Sequence, residues 1–194
     1  MNDLCGAGGR WDTIARSINS ALFLSHDLRR DTSIHLIMTG DPDPPKVLTI
    51  DGSRVKYLNP DERASVALLR KTLEISLDRD GGYRWINPGI YVSRTDLKGF
   101  LERLDGILFF MDEKGIDFHS EAVRKGLDLA GKRHYFILSD DLNPVREELD
   151  LIEDMSDLVI SVGPKVLHGD HAIIVLHNLL DRLENEDCNG PETA

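Results

Sequence analysis

A stripe of polar and aromatic side chains near the amino terminus has the residue types of an RNA-contacting surface. Its members are spaced 4, 3, 4, 3 and 4 residues apart and are Asp12, Arg16, Asn19, Phe23, His26 and Arg30. This spacing predicts one narrow face of a helix. Guanidinium groups bind phosphate, and an aromatic ring among arginines can stack on a base. For a generic helix, a solvated face is the more common explanation of such a stripe.

The glycine-rich run GAGGR, at residues 6–10, precedes this stripe and has the composition of a phosphate-binding loop. It lacks the pattern G-x-G-x-x-G because Trp11 occupies the third glycine position, and no G-K-[ST] follows. The run is therefore not predicted to bind a dinucleotide or a nucleoside triphosphate.

Metal and disulfide chemistry are only weakly indicated. His168 and His171 lie on either side of Asp170, but no cysteine is near them and the pattern H-E-x-x-H is absent. Cys5 and Cys188 lie near opposite ends without a C-x-x-C partner, so we expect free thiols. No metal ion is expected, and the two histidines are interpreted as helix-capping or RNA-contacting residues.

The composition predicts one globular domain over residues 1–185, followed by a flexible tail over residues 186–194. The chain has 194 residues, of which 41% are hydrophobic, and a chain of this size buries about 70% of its unfolded surface. No apolar run is long enough to span a membrane, and the amino terminus lacks the pattern of a signal segment. A cytoplasmic location is therefore expected.

The charge is strongly acidic, with 34 Asp and Glu against 23 Lys and Arg and a net charge of -11. This balance argues against general attraction to nucleic acid. A few arginines on one face still suffice for phosphate contacts, so the distribution of charge matters more than its sum.

The stripe requires a long helix, and the apolar residues Ile14, Ile18 and Leu22 predict one over residues 10 to about 29. Further elements are expected after it. They are a strand at residues 34–39, a hairpin at 47–58, a helix that starts at Asn59-Pro60-Asp61-Glu62, a strand at 90–92 and a helix capped by Thr95.

Three short apolar runs in the C-terminal half predict buried parallel strands at residues 107–111, 134–138 and 158–162. Polar or glycine-containing turns follow them at residues 112–115, 139–141 and 163–165. Because ligands bind beyond the carboxyl ends of parallel strands, these turns are the expected cofactor site. A last helix over residues 170–183 has an apolar face wide enough for burial under the sheet or in a dimer.

Three stretches of the chain together resemble one family. They are LCGAGGRWDTIARSINSALFLSHDLRRD, LNPDERASVALLRKTLE and SVGPKVLHGDHAIIVLHNLLDRL. In this order they are similar to the archaeal TrmY tRNA pseudouridine methyltransferases of the SPOUT superfamily. The resemblance implies an α/β SPOUT methyltransferase fold, with a mainly parallel sheet flanked by helices and a C-terminal trefoil knot.

The resemblance also implies S-adenosylmethionine as the cofactor, held by the knot loops. Carried over by position, the cofactor-binding residues are Met111, Leu138, Ser139, Val162, Gly163, Pro164, Lys165, Val166, Leu167 and Ala172. Backbone groups of such turns can hydrogen-bond the adenine edge, and apolar side chains can pack against its faces. The family usually has a cysteine at the position of Ala172, so no thiol contribution is expected in this chain.

On the substrate side, the resemblance implies a homodimer that methylates N1 of pseudouridine 54 in the T-loop of tRNA. Asp12 and Arg16 are the implied catalytic residues. The implied RNA-binding residues are Arg10, Asn19, His26, Arg29 and Asp31, with Arg30 as a further phosphate contact. The glycine run becomes a flexible turn that leads into the helix on the substrate side.

Two alternatives stay open. Related enzymes of ribosome assembly perform the same chemistry on small-subunit rRNA, and a non-catalytic RNA-binding module could retain the fold. Ala172 motivates the second alternative, as does the start of the chain, because the family usually has a further strand before the counterpart of Asn2. We expect either that the sequence starts late relative to the family or that an edge of the sheet is built differently.

Overall fold

The computed structural model describes residues 11–39, 43–78, 82–127, 131–139 and 146–188. The glycine run, Arg10 and the part of the second predicted turn beyond Ser139 lie outside the described residues. The chain divides into two compact units, an N-terminal unit over residues 1–102 and a C-terminal unit over residues 103–194. The single domain expected over residues 1–185 stays a prediction.

In its described part, the N-terminal unit combines helices with an antiparallel sheet. Its elements are α1 (Trp11–Leu22), β1 (Ser33–Met38), β2 (Lys46–Asp51), α2 (Glu62–Glu74), β3 (Tyr83–Asn87), β4 (Ile90–Ser93) and α3 (Leu97–Leu101). The strand order is β1-β2-β4-β3, and each neighbouring pair is antiparallel. Leu48 and Ile50 of β2 and Val92 of β4 are buried, as are Leu22 of α1 and Leu69 of α2. These residues form the core of the unit.

A lysine also belongs to this core. The side chain of Lys46 is 1% exposed, and its Nζ donates a 2.8 Å hydrogen bond to the Leu73 carbonyl. The same ammonium lies 3.5 Å from Oδ2 of Asp43. Arg94 donates to that carboxylate at 2.6 Å, and this hydrogen bond is the main reason that the pKa of Asp43 lies below its usual range. Pairing and hydrogen bonding offset the cost of burying the Lys46 charge.

His35 of β1 is a second polar group enclosed in this unit. Its Nδ1 lies 2.9 Å from Oγ1 of Thr49, and its ring centroid is 5.1 Å from that of Phe100. Burial lowers the pKa of His35 from the usual 6.5 to about 4, although the charge of Asp51 acts in the opposite direction. The imidazole is therefore neutral at pH 7.

The helix predicted over residues 10 to about 29 ends earlier, at Leu22. Beyond it the chain makes a tight turn, in which Phe23 and Leu28 form an antiparallel bridge and the Leu24 N–H donates to the Asp27 carbonyl at 2.8 Å. Oδ1 of Asp27 also accepts the Leu28 N–H at 2.7 Å. The prediction was wrong beyond Leu22 because these local hydrogen bonds compete with helix formation.

The hairpin predicted over residues 47–58 was also wrong. β2 pairs with β1 on one side and with β4 on the other. After a turn at residues 52–54, Val55 donates its N–H back to the Asp51 carbonyl at 2.8 Å and does not enter the sheet. β3 was not predicted, because four of its five residues are exposed and it lacks an apolar run.

Both predicted helix starts in this unit are capped by a different residue from the one expected. The cap of α2 is Asp61 and not Asn59, since the Asp61 side chain accepts the Arg63 N–H and the helix begins at Glu62. The cap of α3 is Asp96 and not Thr95, because Oδ1 of Asp96 accepts the Gly99 N–H at 2.8 Å. A carboxylate thus satisfies a helix N-terminus at both places.

The described part of the C-terminal unit is built on a parallel sheet with helices. Its elements are β5 (Gly106–Asp117), α4 (Glu121–Gly126), β6 (Arg133–Ile137), α5 (Arg146–Met155), β7 (Leu158–Ser161) and α6 (Gly169–Cys188). The strand order is β6-β5-β7, and both pairs are parallel. The three predicted parallel strands are confirmed, although β6 is only partly buried. The parallel part of the α/β fold belongs to this unit.

β5 continues past the turn that was predicted at residues 112–115. Met111 and Ile116 both lie opposite Ile160 of β7, so the four residues between them form a bulge and the strand resumes. A Cβ atom added to Gly115 would lie 2.5 Å from the carbonyl carbon of Ile160. The absence of a side chain at Gly115 allows the strand to return to the sheet.

α6 packs its apolar face into the core of the C-terminal unit. Leu176 is buried in one cluster with Phe109, Phe118 and Ile160. The partly buried residues packed against this cluster include Leu179, Leu180 and Leu183. The predicted last helix is confirmed and is longer than expected. No described helix is long and apolar enough to cross a membrane.

Candidate functional site

The carboxyl ends of the parallel strands bring predicted cofactor residues to one edge of the sheet. Met111 of β5 lies opposite Ile160 of β7, and the residue before Met111 lies opposite Ile137 of β6. Leu138 and Ser139 directly follow β6. The start of the β5 bulge and the end of β6 therefore lie beside each other in the sheet.

The loop after β7 is the third segment. It contains the predicted residues Val162, Gly163, Pro164, Lys165, Val166 and Leu167. Oγ of Ser161 donates to the Gly163 carbonyl at 2.9 Å, which gives the loop its first bend. The side chains of Val166 and Leu167 are 76% and 38% exposed. Among the described residues, the N–H groups of residues 165–167 have no backbone hydrogen-bond partner.

Ser161 is a functional candidate that the sequence reasoning missed. Its hydroxyl holds the first turn of the loop, and its own backbone carbonyl accepts the Phe118 N–H at 2.9 Å. A serine shortly before a Gly-Pro pair was the available signal, since serine hydroxyls commonly bond nearby backbone groups in turns.

Ala172 lies in the first turn of α6, where its N–H donates to the His168 carbonyl at 2.9 Å. Its side chain is buried, which suits packing and supplies no reactive group. The rings of His168 and His171 meet edge to face with centroids 5.9 Å apart. Among the described residues, no group of three or more His, Cys, Asp or Glu is placed to hold a metal ion.

These segments fit a nucleoside-bearing cofactor. Met111 is half-buried where the β5 bulge begins, and Leu138 is half-buried directly after β6. Val166 and Leu167 are open to solvent. Adenine has apolar faces and hydrogen-bonding edges, which match apolar side chains and unpaired backbone N–H groups. The donor set of the loop is thus suited to a flat heteroaromatic ring.

The first turns of α1, in the N-terminal unit, hold the two predicted catalytic residues side by side. Arg16 donates to Oδ2 of Asp12 at 2.9 Å and to Oγ1 of Thr13 at 3.2 Å. Both charged side chains are partly exposed. An exposed ion pair of this spacing contributes only about 0.3–0.5 kcal/mol to stability. The pair places a proton acceptor beside a cation in the first turns of α1.

Asn19, which was predicted to contact RNA, forms a hydrogen bond within the protein. Its Nδ2 donates to the Pro60 carbonyl at 2.9 Å, and its Oδ1 is buried without a hydrogen-bond partner. The amide thus ties α1 to the residues that precede α2. An RNA-binding role for Asn19 stays a prediction that the geometry does not favour.

The other predicted RNA-binding residues lie in the turn beyond α1. His26 and Asp31 are exposed there, and Arg29 is half-buried. The helix rises about 15 Å between Asp12 and its last residue. The turn and the pair formed by Asp12 and Arg16 therefore lie at opposite ends of α1, and the stripe is not the single continuous helix face that was predicted.

Arg30, which was expected to contact phosphate, forms hydrogen bonds with other residues of the chain. Its guanidinium donates to the carbonyls of Gly52 and Val55 at 3.0 and 3.2 Å and to Oδ1 of Asp27 at 3.2 Å. The pKa of Asp27 lies below its usual range because its carboxylate accepts the Leu28 N–H and the Arg30 hydrogen bond. Arg30 therefore fixes the turn to the loop after β2.

Comparison with known proteins relates this site to a family of RNA-modifying enzymes. The SAM-dependent RNA methyltransferase family matches the chain over residues 1–185. The chain belongs to this family. The cofactor of the family is S-adenosylmethionine.

Relatives within the family are similar to the chain over nearly its whole length. A tRNA (pseudouridine(54)-N(1))-methyltransferase of Methanosarcina acetivorans is 39% identical over 187 residues, which cover 96% of this chain and 85% of the relative. A relative of the same name from Methanopyrus kandleri is 38% identical, and the match covers 100% of this chain and 90% of the relative.

A solved structure shares the fold. The crystal structure of Archaeoglobus fulgidus Nep1 bound to S-adenosylhomocysteine aligns with a TM-score of 0.60 at 14% identity. The alignment covers 90% of this chain and 71% of the Nep1 chain. The predicted SPOUT methyltransferase fold is thereby confirmed.

Proposed function

We propose that the chain transfers the methyl group of S-adenosylmethionine to N1 of pseudouridine 54 in tRNA. One observation carries this proposal. Eight relatives that bear the name of this activity are 34–40% identical to the chain over 94–100% of its length. The strand-end segments of the C-terminal unit and the pair of Asp12 and Arg16 supply chemistry that suits this reaction.

In this proposal the C-terminal unit holds the cofactor. Met111, Leu138 and Leu167 pack against the adenine ring, and the N–H groups of residues 165–167 donate to its edge. The bound cofactor supplies an electrophilic methyl group. We further propose that the segments around the loop form the trefoil knot of SPOUT enzymes, which would keep this loop rigid before the cofactor arrives.

The N-terminal unit supplies the groups that act on RNA. The Asp12 carboxylate accepts the proton that leaves N1 of pseudouridine as the new bond to carbon forms. Arg16 orients Asp12 through their 2.9 Å hydrogen bond and offers positive charge to a phosphate or to charge that develops on the base. Arg29, His26 and Asp31 lie in the turn as RNA contacts.

The proposed active form is a cytoplasmic homodimer. Exposed Ile174, with half-buried Ile173 and Val175, leaves apolar surface on α6 outside the core cluster of the unit. Such surface is commonly covered by a second copy of the chain. Static light scattering should give the mass of a dimer at micromolar concentration, and the mass of one chain would contradict this part of the proposal.

A methylation assay tests the activity. Purified protein and labelled S-adenosylmethionine are incubated with a T-arm stem-loop that contains pseudouridine at position 54. The same stem-loop with uridine at that position is the matched control, because uridine has no free N1. Label in both RNAs or in neither would overturn the proposed reaction. Calorimetry with S-adenosylhomocysteine separates an enzyme from a non-catalytic relative that has lost the cofactor.

A further inference from the structure

An exposed aromatic surface surrounds the β3–β4 hairpin of the N-terminal unit. We define the aromatic corner as residues 52–60 and 82–94, which are the loop after β2 and the hairpin with its flanks. The Lys56 N–H donates to the Pro88 carbonyl at 3.3 Å. A Cβ atom added to Gly89, which has φ of 77°, would overlap the backbone of Val55. Loop and hairpin therefore pack as one element.

The corner holds four of the six tyrosine and tryptophan residues of the chain, Tyr57, Tyr83, Trp85 and Tyr91. Trp85 lies opposite Tyr91 in the strand register, and their ring centroids are 5.1 Å apart. Tyr83 lies two residues from Trp85, on the same face of the sheet, with ring centroids 6.2 Å apart. Tyr83 is 65% exposed and Trp85 is 51% exposed. These rings form a platform that is open to solvent.

Tyr57 adds a further exposed ring in an unfavourable backbone conformation. Its side chain is 85% exposed, and its φ is 62°. A bulky residue adopts this left-handed conformation rarely, and such strain concentrates at binding sites. Burial cannot explain the position of this tyrosine, since its ring contributes almost nothing to the core.

The charge of the corner is opposite to that of the whole chain. Residues 52–60 and 82–94 contain Arg54, Lys56, Arg84 and Arg94 and no Asp or Glu, whereas the chain has a net charge of -11. Arg94 is paired with Asp43 at 2.6 Å, and exposed Arg54 lies 3.6 Å from Oδ2 of Asp51. Lys56 and Arg84 are exposed. Exposed rings and cations on one element are the chemistry that binds unpaired nucleotides, whose bases stack and whose phosphates are neutralised.

We propose that the aromatic corner binds a single-stranded segment of the RNA substrate. Bases stack on Trp85 and Tyr83, and phosphates contact Lys56 and Arg84. Arg84 lies between the two rings in β3, so its side chain leaves the opposite face of this edge strand, and the bound segment passes over the edge of the sheet. This inference rests on the proposed function, because it takes the substrate to be a folded RNA with unpaired loops. The corner contributes to affinity and not to the chemical step, since the proposed catalytic pair lies on α1.

Binding of a fluorescein-labelled oligouridylate of about 12 nucleotides tests the corner directly. In the full chain, Trp85→Ala should weaken binding at least about five-fold, which corresponds to about 1 kcal/mol, whereas Trp85→Phe should retain most of the affinity because it keeps a stacking ring. Arg84→Ala should lower the slope of log affinity against log salt by about one. Lys125→Ala, which removes an exposed cation of the C-terminal unit, is the control and should leave both quantities unchanged.

The same variants separate failure of this inference from failure of the proposed function. With the T-arm stem-loop at saturation, Trp85→Ala should change the rate of methylation less than about two-fold, since the loss is in binding. Unchanged RNA affinity of Trp85→Ala and Arg84→Ala would overturn the inference even if the wild type methylates tRNA. If Trp85→Ala lowered the molar mass of the protein but left its RNA affinity unchanged, the corner would be a contact between copies of the chain. This result would also overturn the inference. Trp85-dependent RNA binding without methylation would sustain the inference and refute the proposed reaction.

Discussion

The two units of the chain differ most in their charge. The N-terminal unit, residues 1–102, has 14 Lys and Arg against 14 Asp and Glu, whereas the C-terminal unit, residues 103–194, has nine against 20. The whole net charge of -11 therefore arises in the C-terminal unit. An acidic unit repels RNA phosphates and attracts a cofactor that carries a positive sulfonium. The negative net charge of the whole chain therefore does not exclude RNA recognition by the N-terminal unit, in which basic and acidic residues balance.

The two sheets also present different chemical groups. The antiparallel sheet of the N-terminal unit exposes side chains on its face, as in the aromatic corner. In the C-terminal unit, the loop after β7 has three N–H groups, at residues 165–167, without a backbone hydrogen-bond partner among the described residues. We infer that recognition in the first unit depends on side-chain identity. In the second unit it depends on backbone geometry, so substitutions that move the backbone are expected to be the damaging ones there.

The largest expected effect is on the core of the C-terminal unit. Leu176 is buried with Phe109 and Ile160, and Leu176→Asp would place a carboxylate there. The free energy of unfolding, measured by urea denaturation and circular dichroism, should fall by about 4 kcal/mol. Asn178→Asp, which adds the same charge at an exposed position of α6, should cost less than about 0.5 kcal/mol. Equal losses in the two variants would contradict the packing of α6.

A smaller effect is expected at the β5 bulge and tests the importance of backbone geometry. The methyl group of Gly115→Ala would meet the backbone of Ile160 and should lower the free energy of unfolding by about 2–3 kcal/mol. Affinity for S-adenosylhomocysteine in calorimetry should also fall, because the bulge begins directly after Met111. Gly131→Ala is the matched control in the same unit, since a Cβ there would meet no atom within 4 Å. If Gly115→Ala changed neither the free energy of unfolding nor the affinity, the inference that the C-terminal unit depends on backbone geometry would lose its support.

A pH dependence is expected in the N-terminal unit. Because the pKa of His35 is lowered from 6.5 to about 4, the unfolded chain binds more protons than the folded chain between these values. The free energy of unfolding should therefore be highest above pH 7 and should decrease as the pH is lowered, by about 2 kcal/mol at pH 5. Trp11 and Trp85 both lie in this unit, so denaturation followed by tryptophan fluorescence measures it. His35→Gln should flatten the dependence, and an unchanged slope would point to other groups.

The smallest free-energy change concerns the pair on α1. If Arg16 contacts RNA, Arg16→Ala should lower turnover at least tenfold, equivalent to about 1.4 kcal/mol, with stability changed by less than about 0.5 kcal/mol. Asp12→Asn should retain RNA binding and slow the chemical step. Lys125→Ala removes an ion pair of the same spacing, with Glu121, in the other unit and should leave turnover intact. Wild-type kinetics for both α1 variants would return this surface to the solvated-face interpretation.

The parallel sheet, and the edge at which its strands end, could be predicted from the sequence because buried parallel strands read as continuous apolar runs. Residues 107–111, 134–138 and 158–162 have this property, and the rule for strand ends then indicates the loops that follow. The bulge could not be foreseen, since Gly115 reads equally well as a turn. Its meaning depends on the approach of Ile160, which is distant in sequence.

The N-terminal unit was predicted less well because its elements depend on local hydrogen bonds and on exposed strands. The helical period continues past Leu22, but the carboxylate of Asp27 and the bridge between Phe23 and Leu28 end the helix. β3 lacks an apolar run, so its aromatic residues were not placed on one face. The contacts of Arg30 and Asn19 with backbone carbonyls also come from distant segments, and a spacing rule cannot reveal them.

The enclosure of Lys46 has a consequence for chemical reactivity. An amine acylates only when its lone pair is free and a reagent can reach it. The ammonium of Lys46 is held by the Leu73 carbonyl and lies near the Asp43 carboxylate, out of contact with solvent. Of the eight lysines of the chain, this one should therefore stay unmodified when the folded protein is treated with an acylating reagent. Its labelling would then report the moment at which the N-terminal unit opens.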